Sequence, residues 1–120
     1  MSPDRGHAKL REEIKRELSA IVEFEARDPA LKEAFPTVMD VQLSVDARYA
    51  KVFVALGASG GDKEAVLAAF RRDRGFFRSE LAHRLTLRYT PELHFVLDET
   101  VERSLRLEKL LEEDSDEQGP

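Results

Sequence analysis

The spacing of apolar residues changes several times along the chain, and each change marks an element. Over residues 7–26, Leu10, Ile14, Leu18, Ile21 and Val22 recur at helical spacing with Lys, Arg and Glu between them. This is the pattern of an amphipathic helix. Asp28-Pro29 ends it, because a residue before proline is pushed out of the α region. Leu31 and Phe35 are expected to fold back onto the core from the connection that follows. From 37 to 46 the period becomes two. Met39, Val41, Leu43 and Val45 face one side and Asp40, Gln42, Ser44 and Asp46 the other, which predicts a half-buried strand. A turn at Asp46-Ala47-Arg48 leads into a second strand over 49–56, antiparallel to the first. Apolar residues on both of its faces place it inside the sheet.

Gly57-Ala58-Ser59-Gly60-Gly61-Asp62 reads as a loop, with Asp62 as N-cap of a helix running to about Arg74. Val66, Leu67 and Phe70 face inward on that helix. Gly75 is expected to break it. A second short helix follows to about Arg84, with Phe77, Leu81 and Leu85 at i, i+4, i+8. Residues 86–97 predict a third strand with Leu93, Phe95 and Leu97 inward. Pro91 lacks an N–H and therefore belongs at an edge or a bulge. A weak terminal helix from Glu99 carries Val101, Leu105 and Leu110-Leu111. The order α-β-β-α-α-β predicts an α+β sandwich, with helices packed on one face of a three-stranded sheet. Residues 1–111 form one domain. Residues 112–120 are an acidic tail without apolar residues, expected to be disordered.

The total charge of −5 is unevenly spread. Asp98 to Pro120 holds nine acids against three bases, so the other 97 residues carry +1. Between Arg71 and Arg88, six arginines face only Asp73 and Glu80. Arginines outnumber lysines 13 to 6. Arg suits bidentate phosphate contacts better than Lys, although a GC-rich genome gives the same ratio. With no cysteine, a disulfide framework, a thiolate zinc site and a cysteine nucleophile are all excluded. Met1 to His7 has no apolar h-region and no apolar run is long enough to span a bilayer. The expectation is a soluble, cytoplasmic protein.

Catalytic chemistry finds little support. His7, His83 and His94 lack metal-ligand spacing, and His83 and His94 read as surface residues. No serine sits in a nucleophile elbow. Gly57 to Lys63 lacks the Gly-Lys-Ser/Thr ending of a phosphate loop and reads as a linker. No catalytic residue, metal, cofactor or small-molecule substrate is expected.

The segment around Gly75 is different. Two helices joined with almost no loop hold a rigid backbone corner, and the second aims its first N–H groups outward. Gly75 carries no Cβ, so a ligand backbone could come close. Arg71 and Arg74 share a helix face, and Arg78 lies near the start of the second helix. This arrangement suits a sugar-phosphate backbone rather than base edges. The plain alternative is a solvated charged face beside a helix-ending glycine. The RNA-contact candidates are Arg71, Arg72, Arg74, Gly75, Arg78, Arg84 and Arg88. Lys9, Lys15 and Arg16 on the first helix and Lys51 on the sheet are secondary candidates.

Several segments resemble one family. Arg27-Asp28-Pro29-Ala30-Leu31 resembles its (K/R)-D-P-x-L end of the first helix. Val41 to Asp46 followed by Ala50-Lys51-Val52-Phe53-Val54 resembles its strand pair. Gly75-Phe76-Phe77-Arg78 is similar to G-(F/Y)-(I/L)-R. Leu87-Arg88-Tyr89-Thr90-Pro91-Glu92-Leu93-His94-Phe95 with Asp98 matches its L-R-x-x-P-E-L-x-F…D strand, and Arg106 to Leu111 its closing segment. The family is ribosome-binding factor A, and the similarity covers roughly residues 8–111. The resemblance implies a type II KH-like fold and a non-enzymatic, monomeric factor of ribosome biogenesis. Such a factor binds the immature small (30S) subunit and 16S rRNA, and promotes rRNA maturation and 5′-end processing, notably in cold shock. Members carry a small-residue-x-Gly kink in place of the GxxG loop. Here the kink reads Asp73-Arg74-Gly75. Asp73 is expected to cap the second helix and to weaken the local positive field. The acidic tail is expected to compete with RNA for the arginines. The alternative reading is a protein-interaction module that docks a partner through the sheet or the terminal helix. A nuclease acting on rRNA has no acid–base pair or metal cluster behind it.

Overall fold

The computed structural model describes residues 7–57, 61–99 and 107–112. Helix α1 (Ala8–Glu25) buries Ile14, Leu18, Ile21 and Val22, the stripe read from its periodicity. Asp28 does more than stop it. Its carboxylate accepts from the Ala30 N–H at 3.0 Å and caps a short helix, α2 (Pro29–Ala34), with Pro29 at the first turn. Strands β1 (Thr37–Leu43) and β2 (Tyr49–Ala55) pair antiparallel. Helices α3 (Lys63–Arg72) and α4 (Arg74–Arg84) then cross to β3 (Glu92–Leu97), which runs parallel to β2. The strand order is β1-β2-β3. Helices α1, α3 and α4 lie on one sheet face, over a core built from Ala50, Val52, Val54, Leu93, Phe95 and their own inward residues.

The central place of β2 is as expected, but its reason differs. Ala50, Val52 and Val54 face the helices, while Tyr49, Lys51 and Phe53 lie on the face that these helices leave uncovered. The strand alternates. Strand β1 departs from strict alternation. The register steps from Val38 opposite Val54 to Asp40 opposite Phe53, so Met39 is a bulged residue. One extra residue reverses parity, and Val38 and Val41 therefore share the buried face. Val45, expected inward, lies beyond the strand and is 79% exposed.

Phe35 also corrects the sequence reading. Leu31 is buried, but Phe35 ends α2 with φ of 46° and holds its ring in solvent. Its N–H donates to the Leu31 carbonyl at 3.1 Å, the left-handed cap that closes a helix C-terminus.

The α3–α4 corner turns at Asp73 (φ −95°, ψ 9°), one position before α4 begins. Gly75 lies inside α4 and does not break the helix. Asp73 makes no side-chain cap, so the capping role expected for it is absent. Residues 86–91 are not strand, and Pro91 is buried just before β3. Residues 107–112 are helical, with Leu107, Leu110 and Leu111 exposed. Val101, Leu105 and the tail from residue 113 lie outside the described residues.

Candidate nucleic-acid interface

Helix α3 ends in Arg71 and Arg72, and α4 opens with Arg74. Cations in the last turn of α3 complement its dipole. Arg74 does the reverse. It places a cation at the positive end of α4, and the first turn of α4 holds no acid to compensate. The local rule is broken there: Arg71, Arg72 and Arg74 bracket the corner, and Asp73 between them offsets part of their charge. Arg74 and Arg78 are one turn apart on the flank of α4 that also carries Gly75, Ser79 and Ala82.

The six arginines fall into distinct roles. Arg71 and Arg74 are exposed and make no ion pair among the described residues. Arg78 donates through Nε (3.2 Å) and Nη2 (2.9 Å) to the Thr90 carbonyl, pinning the α4–β3 connection while staying exposed. Arg88 stands 5.5 Å from the Tyr89 ring centre. The other two are engaged within the monomer. Arg72 Nη2 meets Asp28 Oδ2 at 2.8 Å. Arg84 spans two turns of α1, reaching Glu17 at 3.2 Å and Glu25 at 2.9 Å, and these carboxylates raise its pKa. Those two hold α3 to the α1–α2 junction and α4 to α1. Gly75, Arg78, Arg88, Tyr89 and Thr90 line a shallow groove of about 550 Å³.

The secondary candidates are scattered. Lys9 is exposed near the start of α1, Lys15 is half-buried, and Arg16 lies 3.9 Å from Glu17. Lys51 sits over Phe53 on the uncovered sheet face, opposite the helices and away from the corner.

Two residues of this surface escaped the sequence reading. Arg48 lies 4.6 Å from the Tyr89 ring centre, so both belong to the groove's edge. The signal was the parallel pairing of β2 with β3. It sets Tyr49 beside Glu92, and therefore Arg48 beside the residues that precede β3. Reading 86–91 as strand concealed that neighbourhood.

Asp28 ties the corner to the rest of the fold. The Arg72 hydrogen bond, then the Ala30 N–H, hold its carboxyl below the ordinary value of 3.8. A depressed carboxyl pKa adds stability above the unfolded-state value and loses it as pH falls through the folded one. Asp28→Asn keeps a capping side chain and removes the charge. The variant is expected to be less stable than wild type at pH 7, with the difference closing below about pH 3.8. Chemical denaturation across pH checks this.

No group of three or more His, Cys, Asp or Glu could hold a metal among the described residues, and no described helix is long and apolar enough to cross a membrane. The sequence model of ribosome-binding factor A matches residues 6–111. The chain belongs to the ribosome-binding factor A family. A ribosome-binding factor A from Acetivibrio thermocellus is 41% identical over 107 residues, covering 89% of this chain and 86% of that protein. The crystal structure of ribosome-binding factor A from Thermus thermophilus superposes with a TM-score of 0.68 at 30% identity. It covers 77% of this chain and 94% of that one. A model of the Thermus thermophilus factor fitted into a map of its 30S complex superposes at 0.64, with 29% identity and the same coverage.

Proposed function

We propose that the chain is a cytoplasmic, monomeric, non-enzymatic assembly factor that binds the immature 30S subunit through 16S rRNA and promotes its maturation and 5′-end processing. The observation that carries this reading is the corner itself. Arg71 and Arg74, with no carboxylate partner among the described residues, stand beside Gly75 and the Arg78–Arg88 groove. Family membership supplies the ribosomal context. Phosphate contacts are assigned to Arg71, Arg74, Arg78 and Arg88. Arg72 and Arg84 are assigned to the scaffold. The factor acts by differential affinity, binding an immature conformation better than the mature one and shifting that equilibrium.

Crosslinking the protein to immature small subunits and mapping the nucleotides tests the reading. Crosslinks through α3, α4 and the 85–91 connection are expected. Binding that survives nuclease and high salt would instead indicate an apolar contact. Phe24 and Phe35, 77% and 76% exposed, flank a groove of about 540 Å³ at which such a contact could form. Precursor rRNA cleaved by the purified protein alone would overturn the non-enzymatic assignment.

Gly75 gives a second check. A Cβ built there meets nothing within 4 Å, so the monomer does not require glycine at this position. Gly75→Ala is expected to stabilise the isolated protein by about 0.5–1 kcal/mol, because alanine loses less entropy in a helix. The same change is expected to weaken binding to the small subunit, since the added methyl stands where the sugar-phosphate chain approaches. Calorimetry and subunit co-sedimentation read the two effects.

A further inference from the structure

Tyr89 is 49% exposed at the edge of the groove that contains Gly75. The Arg48 guanidinium lies 4.6 Å from its centre and that of Arg88 5.5 Å. Neither arginine forms a salt bridge among the described residues. Asp46, in the adjoining turn, turns one carboxylate oxygen to the Ser44 hydroxyl (2.7 Å) and the Arg48 backbone N–H (3.2 Å). Both guanidinium groups stand over the ring, and Tyr89 as a whole is 49% exposed, so a base that stacks here lies against one of them or displaces it.

The backbone that carries the ring is tied down. Arg78 grips the Thr90 carbonyl from α4 on one side. On the other, the Glu92 N–H donates to the Arg48 carbonyl at 2.8 Å. A platform positioned before binding loses less entropy when it is used. The phosphate contacts proposed above need only charge, and they do not explain an aromatic ring here. A base can offer its face to a ring only when it is unpaired, since a duplex hides its base faces in the stack.

We propose that Tyr89 is a stacking platform for an unpaired nucleobase, with Arg48 and Arg88 neutralising the flanking phosphates, so that the groove takes single-stranded rather than duplex RNA. This rests on the RNA-binding reading above and names the class of RNA.

The test uses the full chain with oligoadenylate and oligouridylate of equal length, and with duplex RNA of that length. Both single strands carry the same charge, so a difference between them reports stacking. Wild type is expected to prefer oligoadenylate over both other probes, because purines stack more strongly. Tyr89→Ala is expected to lose roughly tenfold in affinity for oligoadenylate. It should abolish the adenylate preference and leave the salt slope unchanged. Tyr89→Phe should restore affinity and preference together, which a purely structural role for the hydroxyl would not predict. The chain has two tyrosines and no tryptophan. In a Tyr49→Phe background the emission of Tyr89 should therefore be quenched on binding. Unchanged oligoadenylate affinity in Tyr89→Ala, while Arg71→Glu with Arg74→Glu still abolishes binding, would overturn the stacking role and leave the RNA reading standing. Equal affinity for duplex would overturn the single-strand assignment. No RNA bound by wild type would remove both.

Discussion

Replacing Phe70 by alanine is expected to cost about 3–5 kcal/mol, the range for deleting a buried aromatic side chain. Phe70 in α3 is fully buried, as is Phe77 in α4. Their rings lie 5.6 Å apart, and both pack on Phe95 of β3, Phe70 stacked at 4.4 Å and Phe77 tilted at 5.5 Å. The Asp73 break lies between Phe70 and Phe77. The cluster therefore does two things: it fills the core and sets the angle at which the two helices meet. A loss of this size is a large part of the roughly 5–15 kcal/mol that holds a domain together. Phe24→Ala is the matched control. With Phe24 77% exposed, the change should stay within about 0.5 kcal/mol. Urea denaturation of both variants decides the matter. A Phe70 variant as stable as wild type would mean that the corner is not built on this cluster.

Most of the fold was legible because its period signals are clean. The buried stripe of α1, Val66 and Phe70 of α3, and Phe77 and Leu81 of α4 follow from spacing, and the N-cap at Asp62 from residue type, whereas Leu67, expected inward, is only partly buried and lies outside the core. What escaped had local causes that periodicity does not carry. A bulge at Met39 reverses parity without altering composition. Phe35 is apolar, yet it occupies a left-handed cap whose geometry turns the ring outward. Gly75 looked like a breaker because glycine usually is one, whereas the chain turns at Asp73. The site divides in the same manner. That the arginines cluster in sequence was plain. That Arg72 and Arg84 are held by Asp28, Glu17 and Glu25 depends on contacts 44, 67 and 59 residues apart, which no window contains. The reverse holds for Arg48 and Tyr89, distant in sequence and brought together by parallel pairing.

Reversing both Arg71 and Arg74 to glutamate should lower affinity for single-stranded RNA by roughly 100-fold or more at low salt, taking a charged contact at about 1.5–3 kcal/mol. With five phosphate-facing arginines (Arg48, Arg71, Arg74, Arg78 and Arg88), the log–log salt slope of wild type is expected near roughly −3.5, and loss of two contacts should bring it to about −2. Stability should barely move, for a specific reason. Neither side chain has an ion pair to lose among the described residues. Arg71→Glu places an acid at the negative end of α3, which is unfavourable. Arg74→Glu places one at the positive end of α4, which is favourable, and the two largely cancel. Arg84→Glu supplies the contrast. It sets a third acid against Glu17 and Glu25, and is expected to destabilise the α1–α4 packing whatever its effect on RNA. A change at Arg78 would mix both outcomes, because that side chain also holds the Thr90 carbonyl. The double variant therefore separates charge from scaffold. If it unfolds at the same denaturant concentration as wild type and binds small subunits with unchanged affinity and salt slope, the corner is not where RNA is held.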